Sequence, residues 1–194
     1  LPPLAGSINF AGTVLPIDYR NRTNDQLRQI QMIYQMADTA LNPKLRIRDL
    51  IARPAKMYLG LTGKALDDRV RDLLHMIEME PDQFIDRLPS ELSGGQKQRI
   101  GIARAIAVNP SFIICDEPIS ALDVSIQAQI INLLKDLQEE FGLTYLFISH
   151  DLSVVAHISD NVGVMYLGSL VETGSKTAIF KNPLHPYTQA LLSA

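Results

Sequence analysis

The chain has 194 residues, 46% of them hydrophobic, which suffices for one domain with a buried core. Its formal net charge is −3 with acidic and basic residues interspersed, so a nucleic-acid-binding function is disfavoured. A single cysteine, Cys115, excludes a framework of internal disulfides, and no apolar stretch approaches the roughly 18 residues that span a bilayer.

The first half of the chain is predicted to begin with extended segments and to continue as helices. Residues 5–10 alternate enough for a strand. Residues 25–36 fit either a helix or a strand, and we favour a strand that ends at Gln35. Apolar residues then recur at helical spacing over residues 46–59 and 65–79, which predicts two amphipathic helices.

The second half of the chain is predicted to alternate helices and strands. In chain order the segments are a helix over Gln96–Val108, a buried strand over Phe112–Cys115, a helix over Ser125–Phe141, a second buried strand over Leu143–Ile148, a helix over Leu152–Ile158 capped by Asp151, and a hairpin of Val162–Tyr166 and Ser169–Glu172 about Gly168. This alternation predicts a parallel sheet with right-handed crossovers. Cys115 is predicted to be a small core residue rather than a reactive thiol.

A glycine-rich turn opens the helix that starts near Gln96. It reads Leu92-Ser93-Gly94-Gly95-Gln96. The amino end of a helix carries unsatisfied N–H groups and a partial positive charge, and glycines let a backbone approach an anion closely. The turn can therefore bind a phosphate, although a plain loop with Ser93 as a helix cap explains the same residues.

Two adjacent acids, Asp116 and Glu117, follow the predicted strand Phe112–Cys115. The carboxyl end of a parallel strand is where α/β proteins hold ligands. Asp116 can bind Mg²⁺ through water, and Glu117, held extended by Pro118, can polarise an attacking water. The alternative is a pair of acids that merely ends a buried strand.

Three further residues have ordinary readings when each is taken alone. Asp123 precedes a helix and can cap it. His150 ends a predicted strand, where an imidazole can sense a phosphate or serve as a structural donor. Gln35 lies at a predicted junction of strand and loop. Their order on one α/β framework, together with the glycine turn and the two acids, favours a shared functional site.

At these residues the chain resembles the ATP-binding subunit of an ABC transporter, over essentially its whole length. Gln35 matches the family's Q-loop, Leu92–Gln96 its signature, Phe112–Asp116 its Walker B strand, Glu117 its catalytic glutamate, Ser120–Asp123 its D-loop and His150 its switch histidine. The resemblance implies an α/β fold, a partial P-loop NTPase (ABC ATPase) fold with a parallel sheet core, a helical subdomain and residual antiparallel β-strands.

A narrower resemblance is to the branch that imports oligopeptides, dipeptides, nickel and related solutes. It rests on Ala40–Pro43, Ser120–Gln129 and Asn182–Thr188. The implied function is ATP hydrolysis that powers solute uptake. The implied partners are a second ATP-binding subunit arranged head to tail, membrane permease subunits and a solute-binding protein upstream, with the chain peripheral on the cytoplasmic face of the membrane and no nucleic acid.

The resemblance also implies cofactors, roles and divisions. The cofactors are ATP and Mg²⁺. The catalytic residues are Glu117, His150 and Gln35; nucleotide is bound by Ser93, Gly94, Gly95, Gln96 and Asp123; and the metal is held by Asp116 and Gln35. Within one truncated domain, 1–194, the divisions are a β segment with the Q-loop (1–41), a helical subdomain (42–108), the Walker B, D-loop and switch core (109–172) and a peptide-importer extension (173–194).

Two departures from the family pattern affect these expectations. The branch usually continues Asp-Pro after Gln35, whereas Met36–Asp38 follows here. No G-x-x-x-x-G-K-[ST] occurs, and Gly60–Ala65 has neither its spacing nor its final hydroxyl. We therefore expect Leu1 to lie just after the phosphate-binding loop, the upstream coding sequence to supply that loop, and the 194 residues alone to bind ATP weakly and to be inactive.

Two alternatives differ from a truncated importer ATPase. One is an interaction module that naturally lacks the loop and completes a partner's ATPase site in trans. The other is a soluble ABC-type ATPase of repair or translation, which the absence of a coiled coil or basic surface and the segment Asn182–Thr188 disfavour.

Overall fold

The computed structural model describes residues 5–193, so the predicted units 1–41 and 173–194 begin or end outside the described residues. The helices are α1 (Asn24–Gln29), α2 (Ala37–Ala40), α3 (Ile47–Leu59), α4 (Gly63–Met76), α5 (Pro81–Phe84), α6 (Gly94–Ile106), α7 (Val124–Phe141), α8 (Leu152–Ile158), α9 (Lys176–Lys181) and α10 (Pro186–Ser193). The strands are β1 (Asn9–Phe10), β2 (Thr13–Val14), β3 (Ile30–Ile33), β4 (Phe112–Asp116), β5 (Thr144–Ile148), β6 (Asn161–Tyr166) and β7 (Ser169–Ser175). Among these residues no helix combines the length and the apolarity needed to cross a bilayer.

The strands form three separate sheets within residues 5–193. The central sheet is parallel in the order β3-β4-β5, with Ile30 opposite Phe112 and Phe112 opposite Thr144. β1 pairs with β2, and β6 with β7, in antiparallel fashion. The predicted parallel sheet and the hairpin about Gly168 are confirmed, while the predicted strand over 5–10 is reduced to the two residues of β1.

The main core lies between the central sheet and helices α3, α4, α6 and α7. On β4, Ile113 and Cys115 are fully buried, and burial raises the pKa of the Cys115 thiol to about 12. The predicted helices α6 and α7 are confirmed, and α7 ends at Gly142, whose positive φ of 61° lets its N–H bond to the Gln138 carbonyl. The prediction that Cys115 is a small core residue rather than a reactive thiol is also confirmed.

The ambiguous segment 25–36 contains both a helix and a strand. A reciprocal capping box between Thr23 and Gln26 starts α1, and sheet pairing with β4 then takes over at Ile30. The predicted strand that ends at Gln35 is therefore wrong at both ends, because β3 covers only Ile30–Ile33. Gln35 lies beyond the strand, in the connection to α2, where its side chain can reach the next strand's end.

The prediction that β5 is fully buried is wrong. Tyr145 and Phe147 pack against the core, whereas Leu146 and Ile148 on the opposite face are exposed. Within the described residues β5 is an edge strand of the central sheet, paired with β4 alone. A continuous apolar run indicates two covered faces, but it cannot tell whether the second cover is present.

The C-terminal helix α10 is anchored to the β6–β7 hairpin through Glu172. The Glu172 carboxylate accepts hydrogen bonds from the N–H groups of Leu184 (2.8 Å) and His185 (3.0 Å). The hydroxyl of Thr188 and these N–H groups hold the pKa of Glu172 below its ordinary value of 4.5. The Thr188 hydroxyl is buried beside this carboxylate and makes no hydrogen bond of normal geometry among residues 5–193.

Glu172→Gln in the full-length protein is expected to loosen α10 at neutral pH but not at acid pH. Because the folded-state pKa of Glu172 is lowered, its stabilising effect is complete above 4.5 and is lost as the pH falls through the lowered value. Thermal unfolding of variant and wild type should therefore differ at pH 7 and converge near pH 3. The exposed Glu140→Gln on α7 serves as the control, and a pH-independent difference for Glu172→Gln would contradict the anchoring role.

Candidate functional site

The centre of the candidate site is the Glu117 carboxylate, directly after β4. Gln35 Nε2 donates to its Oε2 at 2.7 Å, and His150 Nδ1 lies 3.0 Å from its Oε1. Gln35, Glu117 and His150 follow β3, β4 and β5, whose carboxyl ends meet at one edge of the sheet. Three residues predicted as catalytic are thus brought into direct contact.

The contact with Glu117 determines which nitrogen of His150 holds the proton. An ionised carboxylate only accepts hydrogen bonds, so Nδ1 must donate and Nε2 is left free. The His150 side chain is 74% exposed, whereas that of Glu117 is 27% exposed. The imidazole therefore covers the carboxylate on one side and presents Nε2 to solvent.

The backbone at Glu117 turns sharply instead of remaining extended. Its φ is +43°, so the prediction that Pro118 holds Glu117 extended is wrong. The Glu117 N–H bonds to the Ile148 carbonyl, and the Glu117 carbonyl accepts from Ser120. The long-range bond to Ile148 and the local turn closed by Ser120 together override the preference for an extended chain and aim the carboxylate across the ends of the strands.

Asp116 and Gln35, the predicted ligands of Mg²⁺, each offer an oxygen of the kind that Mg²⁺ prefers. Asp116 is the half-buried last residue of β4. Gln35 donates its amide N–H to Glu117, which leaves the amide oxygen of Gln35 available. Residues 5–193 contain no cluster of three or more His, Cys, Asp or Glu side chains able to hold a metal alone. Mg²⁺ does not require one, because it commonly binds one or two protein oxygens and keeps waters and phosphate oxygens.

The glycine turn forms the amino end of α6 and is held by a capping box. Ser93 Oγ accepts from the Gln96 N–H at 3.3 Å, and Gln96 Oε1 accepts from the Ser93 N–H at 3.0 Å. The capping role of Ser93 does not exclude anion binding by the turn. The N–H groups of Gly94 and Gly95 meet no acceptor within residues 5–193. Two backbone donors at a positive helix end remain free for a phosphate.

Gly95 is also required by packing against the segment that follows Glu117, whereas Gly94 is not. A Cβ on Gly95 would lie 2.6 Å from Ile126 Cγ2, and one on Gly94 would lie 3.5 Å from Leu122 Cδ2. Gly95 is therefore needed for close approach to α7, a reason that the sequence reading did not include.

Asp123 occupies the position before α7, but its carboxylate makes no capping hydrogen bond. Gln127 Nε2 instead donates to the carbonyls of Ile119 and Leu122 and holds the turn. The capping reading of Asp123 is thus wrong at the level of the side chain. Its carboxylate makes no hydrogen bond or ion pair among residues 5–193, although its chain neighbour Leu122 packs on Gly94.

A small cleft of about 60 Å³ lies between the segment that carries Gln35 and the glycine turn. Gln35 and Asp38 line it from one side, and Gly94, Lys97 and Leu122 line it from others. The cleft brings the Gln35 segment beside the glycine turn, whereas Glu117 and His150 do not line it.

Sequence reasoning missed three residues that organise the site, namely Asp38, Lys97 and Gln98. Lys97 forms an ion pair with Asp38, and Gln98 is 3% exposed on the inner face of α6. The sequence did contain one signal for Gln98. It lies four residues before the buried Ile102, so its polar side chain falls on the apolar face of the helix.

Comparison with known proteins identifies the family. A family profile described as "ABC transporter" matches residues 1–120. The chain belongs to the ABC transporter family. A second profile, the C-terminal region of oligopeptide/dipeptide transporters, matches residues 171–194. The narrower resemblance of the chain to oligopeptide and dipeptide importers is therefore confirmed over residues 171–194.

Relatives in the ABC transporter family carry names that refer to peptides. The oligopeptide transport ATP-binding protein AppF of Bacillus subtilis is 52% identical, over 99% of this chain and 58% of AppF. The oligopeptide transport ATP-binding protein OppF of Streptococcus mutans is 50% identical, over 97% of this chain and 61% of OppF. The chain thus spans about three-fifths of the length of these relatives.

Solved structures confirm the predicted ABC ATPase fold. The protein cbiO1 of Clostridium perfringens, part of the ABC transporter complex cbiONQ, superposes with a TM-score of 0.81 and 27% identity, over 94% of this chain and 70% of cbiO1. The ATP-binding cassette MJ0796, solved as a dimer in a post-hydrolysis state with ADP and Pi, gives 0.75 and 28%, over 90% of this chain and 75% of that one. The roles of individual residues and the four divisions of the ABC domain stay predictions.

Proposed function

We propose that the chain is part of the ATP-hydrolysing subunit of an ABC importer for oligopeptides, dipeptides or related solutes. The observation that carries the hydrolytic part is the Glu117 carboxylate, fixed by Gln35 and His150 at the carboxyl edge of the parallel sheet. The names of AppF and OppF and the profile match over residues 171–194 support the peptide substrate class.

In this function Glu117 is the general base. With Oε2 held by Gln35 and Oε1 held by His150, the carboxylate is restricted in direction and points a remaining lone pair toward the attacking water. It takes a proton from that water as the water attacks the terminal phosphorus of ATP, while the bond from this phosphorus to the bridging oxygen breaks and ADP leaves. His150 keeps the carboxylate oriented and offers Nε2 toward the phosphate side.

The remaining site residues bind and orient. Asp116 and the amide oxygen of Gln35 would hold Mg²⁺, which when bound neutralises charge on the phosphate oxygens. The free N–H groups of Gly94 and Gly95 would bind phosphate oxygens of a nucleotide held by a second subunit, head to tail. The carboxylate of Asp123, which makes no hydrogen bond within residues 5–193, would face the second subunit.

The partners in this proposal are permease subunits in the membrane and a solute-binding protein that delivers the solute. The subunit would be peripheral, on the cytoplasmic face of the membrane. The names of the relatives as transport ATP-binding proteins and of cbiO1 as part of a transporter complex support this arrangement.

The test uses the full-length protein assembled with its permease subunits in lipid vesicles. ATP-dependent accumulation of a labelled dipeptide and a labelled pentapeptide is measured with a free amino acid as the control solute. Accumulation of either peptide, lost with Glu117→Gln, is the expected result. ATP hydrolysis without uptake of any peptide would overturn the substrate class. A full-length protein that binds no ATP itself and only supports hydrolysis by a second ATPase chain would favour the interaction module.

A further inference from the structure

The segment that carries Gln35 lies along α6, the helix that begins at the glycine turn. Three side chains of α6 contact residues 34–40. Two of them are adjacent in sequence near the start of the helix, and the third lies near its end. The contacts are Lys97 with the carboxylate of Asp38, Gln98 Nε2 with the carbonyl of Tyr34, and Arg104 with the carbonyl of Ala40.

Two of these contacts involve residues on either side of Gln35 in the sequence, Tyr34 before it and Asp38 after it. The Gln98 amide is 3% exposed, so it needs a polar partner, and the Tyr34 carbonyl at 3.5 Å, the outer limit of a hydrogen bond, is the acceptor it meets among residues 5–193. Asp38 is bound three residues after Gln35. With Tyr34 and Asp38 both attached to α6, the backbone between them has little freedom to move the Gln35 amide away from Glu117.

The second attachment is the ion pair of Lys97 with Asp38. The Lys97 side chain is 18% exposed and that of Asp38 is 65% exposed, so the protein covers most of the lysine side chain while the carboxylate stays in contact with water. Without this ion pair, the cleft that both residues line gives the 34–40 segment room to shift. Such a shift would move Gln35, which lines the same cleft.

We propose that Asp38 and Lys97 are positioning residues that hold Gln35 on the Glu117 carboxylate. This inference rests on the proposed hydrolytic role of Glu117. Lys97 lies on the first turn of α6, three residues after Gly94, so the same ion pair ties the glycine turn to the residue that orients the base. A group bound at the turn and the geometry at Glu117 are then linked through one side-chain contact.

The test compares variants of the full-length protein by steady-state ATP hydrolysis. Asp38→Asn and Lys97→Gln are each expected to lower kcat about tenfold, with KM for ATP changed by less than about twofold, because the base is misplaced while nucleotide contacts persist. The exchanged pair, Asp38→Lys with Lys97→Asp, is expected to recover at least half of the lost kcat. Asp82→Asn breaks an exposed ion pair with Arg71 elsewhere in the helical region and is the matched control.

A double-mutant comparison separates positioning from a structural role. If Asp38 acts through Gln35, Asp38→Asn in a Gln35→Ala background should cause no further loss of kcat. Full additivity of the two losses, or a kcat of both single variants equal to wild type, would overturn the inference. Loss of hydrolysis in Glu117→Gln is measured alongside; if that variant stays active, the proposed function fails instead, independently of Asp38.

Discussion

Glu117→Gln in the full-length protein is expected to lower ATP hydrolysis by about 10²- to 10⁴-fold, the usual contribution of a general base. An amide cannot take a proton from water at neutral pH. It also carries an NH₂ donor in place of one carboxylate oxygen, so one of the two contacts, with the Gln35 N–H or with His150 Nδ1, loses its acceptor. Nucleotide binding should remain, because the glycine turn and Asp116 are unchanged. Hydrolysis and equilibrium binding of a labelled ATP analogue are the two measurements.

The matched control for Glu117→Gln is Glu139→Gln on α7. It makes the same chemical change at an exposed position, and its hydrolysis rate should equal that of wild type. Hydrolysis by Glu117→Gln at more than about a tenth of the wild-type rate would contradict the assignment of Glu117 as the base.

Gly95→Ala is expected to destabilise the protein by about 1–3 kcal/mol, as overpacking does in a tightly packed site. The new Cβ would approach Ile126 Cγ2 to 2.6 Å, so the Ile126 side chain, α6 or α7 must shift. Because α6 begins at the glycine turn, a shift of α6 also displaces the two free N–H groups. Urea unfolding gives the loss of stability, and a raised KM for ATP would accompany it.

Gly101→Ala provides the control for Gly95→Ala in the same helix. A Cβ at Gly101 meets nothing within 4 Å, so alanine there should stabilise α6 by about 0.5–1 kcal/mol. In the Gly95→Ala background, Ile126→Ala removes the clashing methyl group and should recover part of the lost stability. Equal effects of alanine at both glycines would rule out the steric explanation.

Local sequence patterns correctly predict the helices and strands in which apolar residues follow one clear pattern. The regular apolar stripe of α7 and the glycine after it give both the helix and its end, and α6 and β4 follow in the same way. The segment 25–36 is misread because a capping box and a sheet pairing divide it, and only the second is a long-range effect. The exposure of Leu146 on β5 depends on which neighbour covers that face, which no local period records.

The candidate site is predicted where it depends on strand ends and is missed where it depends on side-chain pairing. Gln35, Glu117 and His150 could be expected together because parallel strands end at one edge. The positive φ of Glu117 could not, because the long-range hydrogen bond to Ile148 helps to impose it. The ion pair of Asp38 and Lys97 joins residues 59 positions apart, beyond any pattern in a single sequence.

The single cysteine offers a direct way to observe opening of the central sheet. Cys115 is completely buried and precedes Asp116, and its high pKa leaves almost no thiolate at neutral pH. An alkylating reagent can therefore modify it only when β4 separates from its neighbours, so the labelling rate reports the free energy of that local opening. Slower labelling in the presence of ATP and Mg²⁺ would measure how strongly a bound nucleotide closes the strand that carries the acidic pair.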